Sequence, residues 1–293
     1  MEIRIGSTPI AVLMRTPGDD VELTTGFALT EGIAIHPHEL IGVAMIGDDT
    51  EDARYSLEFV PGVEVDPEQF KRNLYATSSC GVCGKASIDA VRIAATAPPP
   101  GPQIDGGALG SFAIAMRRAQ PGFDATGGLH AAALFQPDGT MIALREDIGR
   151  HNTVDKVIGA TSGTVWPMSN LLLFVSGRVS FEIVQKAAVA GIPIIAGISA
   201  ASSLAIDLAE ELGMTVVGFV RDDSFNVYSG AERVESHESG VESRESRARV
   251  LSPSPTVASQ RCWQLATGNW SLVTGFFRPH RDATQIGLGV DQQ

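Results

Sequence analysis

Cysteine is scarce in this chain, with three residues in 293. That is too few for a disulfide framework, so the sequence reads as a protein of a reducing, cytoplasmic compartment. Positive charge is scarce too. Lysine and arginine number 22 against 34 acids, a net charge of −12, which argues against a general binder of nucleic acid or of an anionic membrane. The spacings GxGxxG and GxxxxGK[ST] do not occur, so neither a dinucleotide fingerprint nor a P-loop is present. The opening Met1-Glu2-Ile3-Arg4 carries an acid and lacks the apolar core of a signal peptide. The stretch between Lys186 and Asp207 is uncharged and long enough to cross a bilayer. It is broken by Gly191-Ile192-Pro193 and by a cluster from Ser199 to Ser203, so it reads as helix end, buried strand and new helix, with no membrane span. Aromatics are only 6% while apolar residues reach 44%. That mix suits an α/β protein whose strands are buried on both faces.

What is present centres on Ser78-Ser79-Cys80-Gly81-Val82-Cys83-Gly84-Lys85. Two of the three cysteines lie here, each followed by glycine, so both sulfurs can sit on an open turn. Lys85 is the nearest positive charge able to favour thiolate. Structural zinc would need a second ligand pair. Cys262 stands alone, and His36 and His38 flank a proline in a loop. A thioredoxin-like pair should follow a strand and open a helix, but the preceding Ala76-Thr77-Ser78-Ser79 is a polar run. An inert buried pair would need apolar walls, which two glycines and a lysine do not make. Thiol chemistry on a loop is the favoured reading, with no metal.

Along the chain, Ile3 to Met14 reads as a β-hairpin, Val21 to Gly32 as a helix, and Ala44 to Val65 as two strands. A short helix is expected over 67–74 and a short element over 87–95. After the Pro/Gly linker at 97–102, helical periodicity returns over Leu109 to Gln120. Strands are expected at Ala131–Phe135, Met141–Leu144, Leu171–Val175, Pro193–Gly197 and Thr215–Val220. Helices are expected at His151–Ala160, Phe181–Ala190 and Ser203–Leu212. The expected architecture is a layered, mostly parallel or mixed α/β sheet with a smaller N-terminal α+β unit. Its divisions fall at 1–75, a CxxC loop and connector at 76–98, an α/β domain at 99–234, and a Ser/Glu/Arg-rich tail at 235–293 without fixed structure.

In such sheets ligands gather beyond the carboxyl ends of strands. Four polar segments fall there: Gly127-Gly128-Leu129-His130, Arg145 through Asn152, Ser176-Gly177-Arg178-Val179-Ser180, and Phe219-Val220-Arg221-Asp222-Asp223-Ser224. Arg150, Arg178 and Arg221 could each fork onto a phosphate. Gly128, His130, His151, Ser176 and Gly177 complete the candidate anion site. The competing interpretation is that Asp147, Arg150 and Asp155 pair on the surface and His151 caps or packs.

Several motifs together resemble one family. They are Arg15-Thr16-Pro17-Gly18-Asp19-Asp20, Thr25-Gly26-Phe27 with Glu31-Gly32, Ser79-Cys80-Gly81-Val82-Cys83-Gly84, Thr126 to His130, Glu146 to Asn152, and Ser176-Gly177-Arg178. In this order they are similar to the FdhD family, sulfur carrier proteins required for formate dehydrogenase activity. The resemblance runs from about Ile3 to Tyr228. It implies a sulfurtransferase that takes persulfide sulfur from a cysteine desulfurase and passes it to the bis-molybdopterin guanine dinucleotide cofactor of formate dehydrogenase. It also implies a homodimer and a second domain similar to the cytidine deaminase fold. On that resemblance Cys80 bears the persulfide, Cys83 assists, and Phe219 to Ser224 is a cofactor-binding stretch. Zinc-dependent deamination itself is not expected. His130-Ala131-Ala132 lacks the catalytic Glu, and the cysteine pair precedes the histidine instead of following it.

Overall fold

The computed structural model describes residues 1–47, 53–67, 70, 96–222 and 224–235, together with the backbone of 248–250. Cys80, Cys83, Asp223, most of the helix expected over 67–74, the element expected over 87–95 and nearly all of the 235–293 tail lie outside the described residues.

The N-terminal hairpin pairs β1 (Glu2–Ile5) with β2 (Thr8–Val12) across the tight turn at Gly6-Ser7. Helix α1 (Asp20–Thr30) follows. Asp19, in the left-handed region at φ 56°, turns the chain into it, and Asp20 and Glu22 place negative charge in its first turn, where the helix dipole favours it. Strands β3 (Leu40–Ile46) and β4 (Arg54–Phe59) then complete a four-stranded sheet of order β2-β1-β4-β3, with β1 and β4 parallel. Its apolar face, including Ile3, Ile10 and Leu57, packs on Phe27 and Ala28 of α1.

A short strand β5 (Ile104–Asp105) leads to α2 (Leu109–Arg118), whose Leu109, Phe112 and Met116 are buried as their spacing predicts. A second short helix, α3 (Pro121–Thr126), was not anticipated by periodicity; its start is set by Pro121 at the first position. The main sheet contains β6 (His130–Phe135), β7 (Met141–Asp147), β8 (Leu172–Val175), β9 (Ile194–Gly197), β10 (Thr215–Gly218) and β11 (Phe225–Ser229). Between them lie α4 (Arg150–Ser162), α5 (Phe181–Val189) and α6 (Ser203–Glu211). Strand β12 (Val234–Glu235) pairs with β5, and a three-residue strand β13 (Ala248–Val250) lies on the β11 edge. The order is β13-β11-β10-β9-β8-β6-β7, with β8, β9 and β10 parallel and β6, β7 and β11 antiparallel to their inner neighbours.

The inner strands β8, β9 and β10 are buried on both faces, and alternate residues go to opposite cores. Leu173, Val175, Ile195 and Val216 pack with α4, α5 and α6 on one side. Leu172, Phe174, Ile194 and Val217 pack with α2 on the other. The period-two geometry of a strand produces that split. The fold is a mixed α/β sandwich with a small sheet beside it. Among the described residues no helix is long and apolar enough to cross a membrane.

The small sheet joins the main one through a close crossing of α1 and α4. A Cβ added at Gly26 would lie 1.8 Å from the Asp155 carbonyl oxygen, and one added at Gly159 would lie 1.9 Å from that of Glu22. Two glycines, one from each helix, therefore let the backbones meet. Neither Gly26→Ala nor Gly159→Ala can be accommodated without separating the helices. Each is expected to cost about 3 kcal/mol, the upper end for overpacking. Urea unfolding checks this: the midpoint should fall with the slope unchanged.

Candidate functional site

Strand register brings the polar segments to one edge. His130 pairs with Asp147 across β6 and β7, and Ala132 pairs with Val175 across β6 and β8. The parallel strands β8, β9 and β10 end at the same side. The loops beyond them are stitched by backbone bonds. Ser176 N–H donates to Ala131 O, Ile198 N–H to Val175 O, Val220 N–H to Gly197 O, and Phe219 N–H to Ser199 O. Val179 N–H donates to Ala200 O and Ser202 N–H returns to Val179 O. This rim is ordered by its own backbone.

The run Arg145 to Asn152 was expected to be a polar connector, and here the structure differs. Strand β7 continues through Asp147. Arg145 pairs with Glu22 of α1. The Glu146 carboxylate accepts from the Gly122 and Phe123 N–H groups, both at 2.7 Å, and so caps α3. Asp147 is fully buried against Lys156 at 2.8 Å. Asp155 is buried too, with Lys186 at 3.0 Å and the Thr30 hydroxyl at 2.6 Å. Asp147 and Asp155 are thus interior ion-pair partners, not surface ones, because lysines distant in sequence fold onto them. Only Arg150 and His151 of this run reach the rim cavities or the groups beside them.

Two cavities flank the loop Ser176 to Ser180. One, of about 460 Å³, is lined by Met116, Arg117, Phe123, Gly128, His130 and Ser176 among others. The second, of about 320 Å³, is lined by Arg150, Arg178, Val179, Ser180 and the Ala200–Ser202 segment. Gly177 separates them. A Cβ there would sit 3.3 Å from His130 Nδ1 and 3.8 Å from Arg150 Cβ. Ser176 Oγ is fixed by the Ala131 N–H at 2.8 Å. Burial first, and then the positive charges of Arg150, His151 and Arg178, hold the His130 imidazole below its ordinary value. Two arginines, Arg150 and Arg178, gather at this rim in a chain that is acidic as a whole.

Of the stretch Phe219 to Ser224, the described residues Phe219 to Asp222 and Ser224 lie beside this cluster without lining either cavity. Phe219 is exposed and in the left-handed region at φ 52°. Val220 is buried in the core. Arg221 donates from Nη1 to the carbonyls of Ile198 and Val220, at 2.7 and 2.8 Å, and so clasps the rim. The Arg221 N–H donates to Ser224 O at 2.8 Å, and the Asp222 carbonyl abuts Gly110. Among the described residues no cluster of three or more His, Cys, Asp or Glu could hold a metal ion.

Comparison with known proteins agrees with this arrangement of motifs. The model of the FdhD/NarQ family matches residues 1–235. The sulfur carrier protein FdhD of Streptomyces coelicolor is 47% identical over 243 residues, covering 80% of this chain and 86% of that protein. The sulfur carrier protein FdhD of Mycobacterium tuberculosis is 48% identical over 245 residues, covering 80% and 89%. A crystal structure described as that of a formate dehydrogenase accessory protein from Desulfotalea psychrophila superposes with a TM-score of 0.63 at 24% identity, covering 80% of this chain and 87% of that one. That likeness carries the fold.

One site residue escaped sequence reasoning. Glu182, in the first turn of α5, lies 2.8 Å from His151 Nδ1. An acid at a helix start is ordinary, and nothing local announces a partner 31 positions earlier. Burial pushes the Glu182 carboxyl up, but the hydrogen bond and charge of His151, with Lys186, outweigh it and hold the group below its ordinary 4.5. A depressed value in the folded state adds stability that is complete above the unfolded value and is lost as pH falls through the folded one. Wild type should therefore exceed Glu182→Gln in stability near neutral pH, with the gap closing as pH falls below the ordinary carboxyl value of 4.5. Paired denaturant titrations across that range test the sign.

Proposed function

The chain belongs to the FdhD/NarQ family, and from that premise we propose that it is a sulfur carrier for formate dehydrogenase maturation. It takes sulfur from a cysteine desulfurase on Cys80 and delivers it to the bis-molybdopterin guanine dinucleotide cofactor, its cargo. Attack by the Cys80 thiolate on the outer sulfur of a donor persulfide breaks the donor's S–S bond and releases the donor thiolate. The sulfur is then held as the Cys80 persulfide, with no net oxidation or reduction. Cys83 is the auxiliary thiol, able to displace the carried sulfur as hydrosulfide by closing a disulfide.

The observation that supports the cargo half of this reading is the convergence of Arg150, Arg178, His130 and the Ser176-Gly177 turn at one rim, beside Phe219 to Arg221. Forked guanidinium donors and a cationic rim suit the phosphates of a dinucleotide cofactor. The fit is chemical: two arginines and serine hydroxyls line a cavity in a chain whose net charge is −12.

The test is mass spectrometry after incubation with a cysteine desulfurase and cysteine. The Cys80 peptide should gain one sulfur atom, and Cys80→Ala should gain none there. The same variant should fail to activate formate dehydrogenase in cells lacking the native protein, while keeping wild-type thermal unfolding. Absence of sulfur on Cys80 of the wild type would favour the alternative, a chaperone that binds cofactor and apo-enzyme without carrying sulfur.

A further inference from the structure

Ser180 occupies the N-cap position of α5 in extended backbone, yet its hydroxyl caps nothing in that helix. The neighbouring helix α6 behaves conventionally, with Ser202 Oγ accepting from the Ala205 N–H at 3.3 Å. An N-cap serine ordinarily takes such a bond. Here the Ser180 hydroxyl is turned to His151 instead. Its Oγ lies 3.1 Å from Nε2, while Nδ1 on the other side of the ring lies 2.8 Å from Glu182 Oε2. Ser180 also lines the cavity between Arg150 and Arg178.

The polarity of this chain of bonds decides what the cavity presents. Glu182 accepts from Nδ1–H, so a neutral His151 has a lone pair at Nε2 and draws the Ser180 proton towards itself. The Ser180 oxygen then shows the cavity only lone pairs, which repel a ligand whose oxygens are all acceptors. With a proton on Nε2 as well, the ring donates to Oγ, and the hydroxyl hydrogen swings round to the ligand. Glu182 from α5 bonds His151, and His130 from β6 feels the charges of His151, Arg150 and Arg178; Lys186, from the next turn of α5, and Glu31, at the end of α1, act on Glu182 in opposite senses.

We propose that Glu182, His151 and Ser180 are positioning residues that couple filling of the Arg150–Arg178 cavity by an acceptor-only oxyanion to the uptake of one proton. The inference rests on the cavity being the anion site of the proposed function and adds to it a condition on binding. Ser180 reads the ligand, His151 sets the direction of its hydroxyl, and Glu182 sets the tautomer of His151.

Sulfate is the probe, since it is acceptor-only and holds no proton near neutral pH. Isothermal titration of sulfate into the full chain should show affinity falling up to about tenfold per pH unit on the alkaline side, as expected for one linked proton. Ser180→Ala should lose most of that dependence and bind at least as tightly as wild type at the alkaline end, with wild-type unfolding confirming an intact fold. His151→Asn should flatten the profile in the same way. A flat wild-type profile would overturn the coupling. So would a Ser180→Ala profile as steep as wild type, which would place the titration on His130 or on bulk charge. No sulfate binding at all would remove the anion site along with it, whereas loading of Cys80 with sulfur is read separately and stands or falls by itself.

Discussion

A lysine ammonium and a carboxylate, both withdrawn from water, hold the frame on which this site is built. Removing two such charges from solvent costs several kcal/mol each, and attraction offsets that only where every remaining hydrogen-bonding position is used. Lys156 and Asp147 meet the condition. Asp147 accepts from Lys156, from the Thr16 and Gly149 N–H groups and from Asn152 Nδ2. Lys156 donates also to the carbonyls of Thr16 and Glu146, at 3.1 and 3.3 Å. The segment after the hairpin, the end of β7 and the start of α4 are thereby one unit. The direction in which Arg150 and His151 leave the sheet is set by it. Lys186 makes the second tie, from α5 to Glu31, Thr30 and Asp155 of the other two helices. Burial works against its charge, and the carboxylates of Asp155 and Glu31 outweigh burial, so the ammonium is retained. With Gly26 and Gly159 allowing α1 and α4 to touch, the small sheet becomes a brace for the rim.

That dependence explains what could be read from the sequence and what could not. The alternating apolar strands and the amphipathic α2 were legible because their signals lie within a few neighbouring residues. The rim loops were legible because parallel strands must end on one side. The extension of β7 through Asp147 was not legible. Arg145, Glu146 and Asp147 are polar, and their partners Glu22, the α3 amides and Lys156 are set only by the tertiary fold. Strand β11 was missed for a related reason. It is short, and its place is given by antiparallel pairing with β10 more than by its own pattern. Glu182 is the instructive omission. Its type and position are ordinary for a helix start, and only the fold makes it the third member of a chain with His151 and Ser180.

Electrostatics then bear on how a cargo could arrive. The chain carries −12 overall, and fields from exposed charges fade over about 8 Å at physiological salt. On the proposed function, a dinucleotide in free solution would meet a chain of net negative charge before it came within reach of Arg150 and Arg178. Long-range steering cannot draw it in, and affinity has to come from short, directed bonds formed at contact. On that reading the cavity between Arg150 and Arg178 would suit a ligand passed across a protein interface, where a partner had already displaced the solvent. If the chain carries sulfur between a donor and an enzyme awaiting its cofactor, as proposed, delivery by contact is the route its net charge favours.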